Sequence, residues 1–218
     1  MVGILVPGRR ALAKTLYLVR HGETEWTAAR RLQGQTDVPL SCRGLWQAQE
    51  VALRLAGVDF DCAYSSDLSR ALDTAKAILS QQSRAVPLVV DSGLREISDG
   101  TYEGRTAAEV GPDPRIAQGA DGPRAVLDAA LPGGESVRQV FLRQQRVASQ
   151  LVADTGPRRV LVVGHDWALR LLAAALVGEG PGSFAQLEQL SPASVSTIEV
   201  VDRSASITLW NETGHLGG

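Results

Sequence analysis

The sequence predicts an α/β fold, a three-layer α/β/α sandwich built on a mostly parallel sheet. Two short apolar runs, 15–19 and 159–163, are each followed at once by polar residues. That is the pattern of strands covered on both faces. Runs with helical spacing alternate with strand-like runs through most of the chain, as a parallel sheet with crossover helices requires. At 218 residues, with 44% apolar and 21% charged, the chain suits one large domain with a sizeable core.

Taken in order, 1–14 lacks the basic start and apolar stretch of a signal peptide and reads as a loose extension to a single domain over 15–218. After the strand at 15–19, a polar loop runs to the turn Thr36-Asp37-Val38-Pro39. Ser41 is the expected N-cap of a helix with Leu45, Ala48, Ala52 and Leu55 on one face, ending at Gly57. A strand at 61–64 leads to Ser66-Asp67, the expected cap of a helix over 68–79, and a third strand covers 86–90. From 111 to 134 glycine and proline dominate. Loops of that length in compact domains are commonly functional, so this stretch is the expected lid. A helix bearing Val137, Val140, Phe141, Ala148, Leu151 and Val152 precedes the strand at 159–163. Another helix follows over 168–177, and 195–201 with 205–210 forms a hairpin turning at Asp202-Arg203.

Composition narrows the partners. A net charge of -2 opposes a nucleic-acid surface, and the longest apolar run, 168–177, is interrupted by Arg170 and too short to cross a membrane. Cys42 and Cys62 form neither a disulfide framework nor a metal cluster, which points to reduced thiols and a cytoplasmic protein. The terminal hairpin offers an edge strand through which a homodimer could form.

Only three histidines are present, and His21 and His165 each directly follow a buried strand and touch a glycine. In a parallel sheet both emerge at the carboxyl edge, where the chemistry of open α/β folds is placed. Arg20 accompanies His21, and Arg70 lies in the first turn of the helix after the second strand, where unpaired amides and a guanidinium both favour anions. These four residues are expected to converge on a dianion. Read alone, the two histidines also suit zinc or iron, but Arg20 would stand beside the metal and no familiar ligand spacing accompanies them.

Seven segments in order resemble the histidine phosphatase (phosphoglycerate-mutase-like) superfamily, on its phosphatase branch. They are Arg20-His21-Gly22-Glu23-Thr24; Gln33-Gly34 with Pro39-Leu40-Ser41 and Gly44; Ser65-Ser66-Asp67-Leu68-Ser69-Arg70-Ala71 with Thr74-Ala75; and Leu94-Arg95-Glu96 with Gly100, Glu103 and Gly104. Gly133-Gly134-Glu135-Ser136, Gly164-His165 and Trp210-Asn211-Glu212-Thr213-Gly214-His215-Leu216 complete the match, which covers nearly everything from Thr15 onward. The resemblance implies that His21 is phosphorylated and then hydrolysed, with Arg20, Arg70 and His165 stabilising the transferring group and Glu96 as proton donor. It further implies substrate contacts from Thr27, Gln33 and Gly34, and neither metal nor other cofactor. Positive charge beside His21 would keep its ring unprotonated for attack, and Glu96 would have to be held partly neutral.

The chain departs from the family in three places. Thr27 stands where an asparagine is usual, Asp166-Trp167 follow His165 where small residues are frequent, and Asp99 replaces an apolar residue near the acid. The expected activity is a phosphomonoesterase acting on a small phosphorylated metabolite, such as a sugar phosphate, a phosphoglycerate derivative, ribazole phosphate or phosphoserine. A phosphoglycerate mutase and a non-catalytic phospho-ligand binder are the alternatives. The compact 96–104 segment favours the phosphatase, and the presence of Glu96 opposes a pure binder.

Overall fold

The computed structural model describes residues 13–115, 126–153, 156, 158–202 and 204–217. Six strands form one sheet: β1 (Lys14–Arg20), β2 (Cys62–Ser65), β3 (Leu88–Val90), β4 (Arg159–Gly164), β5 (Val195–Val201) and β6 (Ser204–Glu212), in the order β3-β2-β4-β1-β5-β6. The first four of that order run parallel, and β5 and β6 add antiparallel at one end. Among the described residues four long helices cover the sheet: α1 (Cys42–Leu55), α2 (Ser69–Ser80), α3 (Val137–Ala153) and α4 (Asp166–Leu176).

Strand alternation divides the core. Leu16 and Leu18 on β1, Val160 and Val162 on β4 and Ile198 on β5 face α3 and α4, meeting Val147, Ala148, Leu151, Leu169 and Leu172. The intervening Val19, Leu161, Val163 and Val195 face α1 and α2, meeting Val51, Ala52, Leu55, Ala71, Ala75 and Ile78. The sheet is thus the middle layer of the expected sandwich. Among the described residues no helix is long and apolar enough to cross a membrane.

Several boundaries differ from the sequence reading. β1 begins at Lys14, one residue before the expected strand, with its ammonium donating to the carbonyl of Leu151; 1–12 lie outside the described residues. Ser41 caps α1 as expected, accepting from Gly44 N at 3.0 Å, but Leu45 is 52% exposed; the buried stripe is Gly44, Gln47, Ala48, Val51, Ala52 and Leu55. The cap expected at Ser66-Asp67 is supplied from afar. Asp37 Oδ1 accepts from both the amide and the hydroxyl of Ser69 at 2.8 Å, while Asp67 turns away to pair with Arg95 at 2.6 Å. The terminal hairpin forms with Asp202 at φ 48; Arg203 lies outside the described residues. So does the centre of the expected lid, 116–125. The ends of that segment are fastened to the 99–101 turn, Arg115 by an ion pair to Asp99 and Pro132 by accepting from Thr101 N at 2.9 Å.

Candidate active site

The parallel register places Arg20 opposite Gly164, so His21 and His165 leave neighbouring strand ends together, their ring centroids 4.9 Å apart. Gly22 lets this edge close against α1: a Cβ there would lie 2.5 Å from Gly44 O, inside contact distance. The Gly22 amide donates to Thr74 on α2 at 3.2 Å. From behind, Ala193 N donates at 3.1 Å to the carbonyls of both Arg20 and His21. The ring of His215 meets Ala193 O at 3.0 Å, so this tail histidine props the loop.

The hydrogen bonds fix the tautomers. His21 Nδ1 lies 2.6 Å from the carbonyl of Gly22, which can only accept. The proton is therefore on Nδ1, and Nε2 carries the free lone pair. His165 Nδ1 accepts from Arg70 Nε at 3.3 Å, which puts its proton on Nε2; that buried donor has no partner among the described residues. Burial, followed by the charge of Arg70, holds both imidazoles well below 6.5, with Arg20 acting in the same direction. Both rings are neutral at physiological pH.

Arg70 is completely buried, and burial lowers its pKa to about 10, so it stays charged. Besides His165 it donates to the carbonyls of Thr36 and Gly34, each at 2.8 Å, leaving two of its five N–H groups unspent. Arg20 Nη1 donates to Leu190 O, and its buried Nε has no partner among the described residues. Unsatisfied buried donors cost free energy that a bound oxyanion would return. Arg20, Arg70 and His165 therefore offer unspent donors around the free Nε2 of His21.

The loop over 33–36 carries Arg70's acceptors and is itself held by Glu103. That carboxylate accepts from Gln35 N at 2.9 Å, from Thr36 N at 2.8 Å and from the Thr36 hydroxyl. Gly34, at φ +48, has no room for a side chain, since a Cβ would fall 2.1 Å from Glu103 Oε1. Its visible part is to present a carbonyl to Arg70. Thr27 is engaged as well. Thr24 Oγ donates to Gln33 Oε1 at 2.9 Å, and Gln33 Nε2 donates to Thr27 Oγ at 2.7 Å. The single Thr27 proton is left to bridge the 3.1 Å to Thr24 Oγ. Gln33 alone of this ring keeps a spare N–H.

Glu96 stands in the loop after β3 and is partly exposed. Its carboxylate accepts from Ile97 N at 2.9 Å and, more weakly, from the first-turn amides of α4, Ala168 at 3.3 Å and Trp167 at 3.4 Å. Loss of solvation, reinforced by the neighbouring Asp166 carboxylate, outweighs these and pushes its pKa up to about 7. Arg143 on α3, which the sequence reading passed over, fastens the loop. It donates to the carbonyls of Gly93 and Glu96 at 2.8 Å and Arg95 at 2.6 Å, and pairs with Glu135 at 3.0 Å. Its sequence signal was indirect: the adjacent Gln144 is a polar residue in the buried stripe of α3, and it too donates to Gly93 O at 2.8 Å. Among the described residues no group of three or more His, Cys, Asp or Glu side chains is placed to hold a metal ion.

The family model described as histidine phosphatase superfamily (branch 1) matches residues 16–213. A relative from Proteus mirabilis named "Probable phosphoglycerate mutase GpmB" is 38% identical over 165 residues, 75% of this chain and 74% of that protein. Among solved structures, the α-ribazole phosphatase of Shigella flexneri superposes with a TM-score of 0.78 at 28% identity, covering 91% of this chain and 96% of that one. A mycobacterial glucosyl-3-phosphoglycerate phosphatase gives 0.77 at 29% identity, covering 92% and 100%. A Bacillus stearothermophilus protein, YhfR, gives 0.80 at 31% identity, covering 93% and 99%. This chain belongs to branch 1 of the histidine phosphatase superfamily.

Proposed function

We propose that the chain is a metal-independent phosphomonoesterase that hydrolyses a small phosphorylated metabolite through a phosphohistidine at His21. The observation that carries this reading is the pairing of a neutral imidazole, its Nε2 free, with a carboxyl group whose pKa is near 7 in the same arginine-lined site. Nε2 of His21 attacks phosphorus while the ester oxygen leaves in line, taking its proton from Glu96. Arg20, Arg70 and the Nε2–H of His165 hold the equatorial oxygens as their charge redistributes. Glu96, now a carboxylate, accepts a proton from water as that water attacks the phosphohistidine, releasing phosphate and restoring both groups. The phosphatases among the similar solved structures support hydrolysis.

The name of the Proteus relative favours a second reading, a phosphoglycerate mutase that returns the phosphoryl group to its substrate. Phosphate release from 4-nitrophenyl phosphate in EDTA, native chain against His21→Ala, tests the first. Metal-free release that falls at least about 10⁴-fold in the variant is expected. An inert native chain that instead interconverts 3- and 2-phosphoglycerate, primed with bisphosphoglycerate, establishes the mutase. Release that survives the substitution rejects His21 as nucleophile.

A further inference from the structure

Asp99 and Trp167 meet at one corner of the site around Arg115, a residue outside every motif quoted above. Its side chain is only 2% exposed. The guanidinium lies over the Trp167 ring, 5.2 Å from the centroid, and pairs with Asp99 at 2.7 Å and Asp113 at 2.6 Å. Trp167 is also the residue whose amide donates to Glu96 Oε2 at 3.4 Å, so this cluster stands next to the carboxyl group read above as the proton donor. Nη1 of Arg115 is buried and has no partner among the described residues. Two N–H groups there lack an acceptor, each a standing cost that a ligand oxygen would remove.

The charge around Arg115 limits which oxygen fits. Two carboxylates already face its one guanidinium. The next arginines are also matched, Arg143 by Glu135 at 3.0 Å and Arg170 by Asp166 at 3.6 Å. A third carboxylate at Nη1 would join a cluster already net negative in a poorly solvated place, where like charges repel most. An uncharged hydroxyl accepts the same hydrogen bonds without that repulsion. The phosphoryl half of the site, by contrast, holds Arg20 and Arg70 with no carboxylate paired to either by an ion pair among the described residues, and so takes the dianion.

We propose that Arg115, backed by Trp167 and Asp99, is the leaving-group subsite, and that it selects esters whose leaving group carries a neutral hydroxyl, as polyol and sugar phosphates do, over carboxylated esters. This rests on the reading above in one respect, that the leaving oxygen faces Glu96. Because Nη1 has no open surface, occupation requires the Asp113–Arg115 turn to give by about the size of an oxygen atom.

Glycerol 3-phosphate and 3-phosphoglycerate form a matched pair, differing at one carbon as CH₂OH against carboxylate. The test measures kcat/KM for both with the native chain, and their dissociation constants by calorimetry with His21→Ala, which needs no turnover. Glycerol 3-phosphate is expected to be favoured about tenfold or more by both measures. Arg115→Lys keeps a cation between the two aspartates but has no Nη1, and should weaken glycerol 3-phosphate about fivefold while leaving 3-phosphoglycerate nearly unchanged. Asp113→Asn should narrow the gap from the other side by strengthening 3-phosphoglycerate. Equal affinities, a preference for 3-phosphoglycerate, or a ratio that neither variant moves would overturn the proposal. If no ester, aryl phosphate included, is turned over, the catalytic reading fails, and the calorimetric ratio still decides the subsite.

Discussion

His21 and His165 stand on the first residues past two hydrogen-bonded strands, and Arg20 and Arg70 flank them from the same sheet edge. Glu96 stands instead in a loop after the short strand β3, held by Arg143 and by amides of α4. The first group is positioned by the backbone register of the core and is rich in unspent positive donors. The second is positioned by side chains reaching across to carbonyls, and its surroundings are net acidic. In the proposed mechanism the contrast separates two tasks: holding a dianion still, and keeping a carboxyl group protonated near neutrality.

The largest change should come from breaking the first half. Arg70→Ala removes the two unspent N–H groups that the proposal assigns to the phosphoryl group and also the anchors of the 33–36 loop at Gly34 and Thr36. We expect kcat/KM for 4-nitrophenyl phosphate to fall about 10²- to 10³-fold in steady-state assays. A drop below tenfold would show that the dianion is held elsewhere.

Breaking the second half should produce an effect that depends on leaving group and pH. For Glu96→Gln, kcat/KM for an alkyl phosphate, which reports transfer to His21, should fall about 10²- to 10³-fold, and that for 4-nitrophenyl phosphate, whose phenolate leaves without help, by much less. The kcat should fall for both, because water attack on the phosphohistidine loses its base. In the native chain, kcat/KM for an alkyl ester should decline as pH rises through about 7, where Glu96 loses its proton. Because His21 is held well below 6.5, its acidic limb lies lower still. The same raised pKa has a stability sign. A carboxyl group near 4.3 when unfolded and about 7 when folded withdraws stability as pH climbs between those values, and the loss persists above them. Glu96→Gln should therefore raise Tm at pH 8 by about 2–4 °C and leave it unchanged at pH 4, by calorimetry.

A smaller effect should follow from loosening the acid without removing it. Arg143→Met deletes the bonds to Gly93, Arg95 and Glu96. We expect kcat for an alkyl phosphate to drop about tenfold with KM little changed, and the alkaline limb to move. If the limb stays at its native pH, Arg143 supports the fold without positioning the acid.

The same contrast governs what could be read from the sequence. The strand-then-glycine contexts of His21 and His165 were legible because register in a parallel sheet follows from the apolar pattern, and the structure brings the two rings together as expected. Glu96 entered through its motif. Its partners did not, because Arg143 to Glu96, Glu103 to the 35–36 amides and Asp37 to Ser69 join residues far apart in the chain with no periodicity to mark them. Local capping logic failed at Ser66-Asp67 for the same reason: Arg95 claims the nearby acid and a distant one takes the helix end. In the sequence Thr27 is a hydroxyl in place of a phosphate donor. The ring with Thr24 and Gln33 shows that hydroxyl committed within the protein, which no single-residue reading could reveal.

The most direct test of the account is to trap the intermediate. Native chain mixed with 4-nitrophenyl phosphate, quenched in alkali and digested, should yield a phosphorylated peptide at His21 by mass spectrometry, with the label lost in acid and absent from His21→Ala. Turnover without any adduct at His21, or an adduct on another side chain, would contradict the central claim.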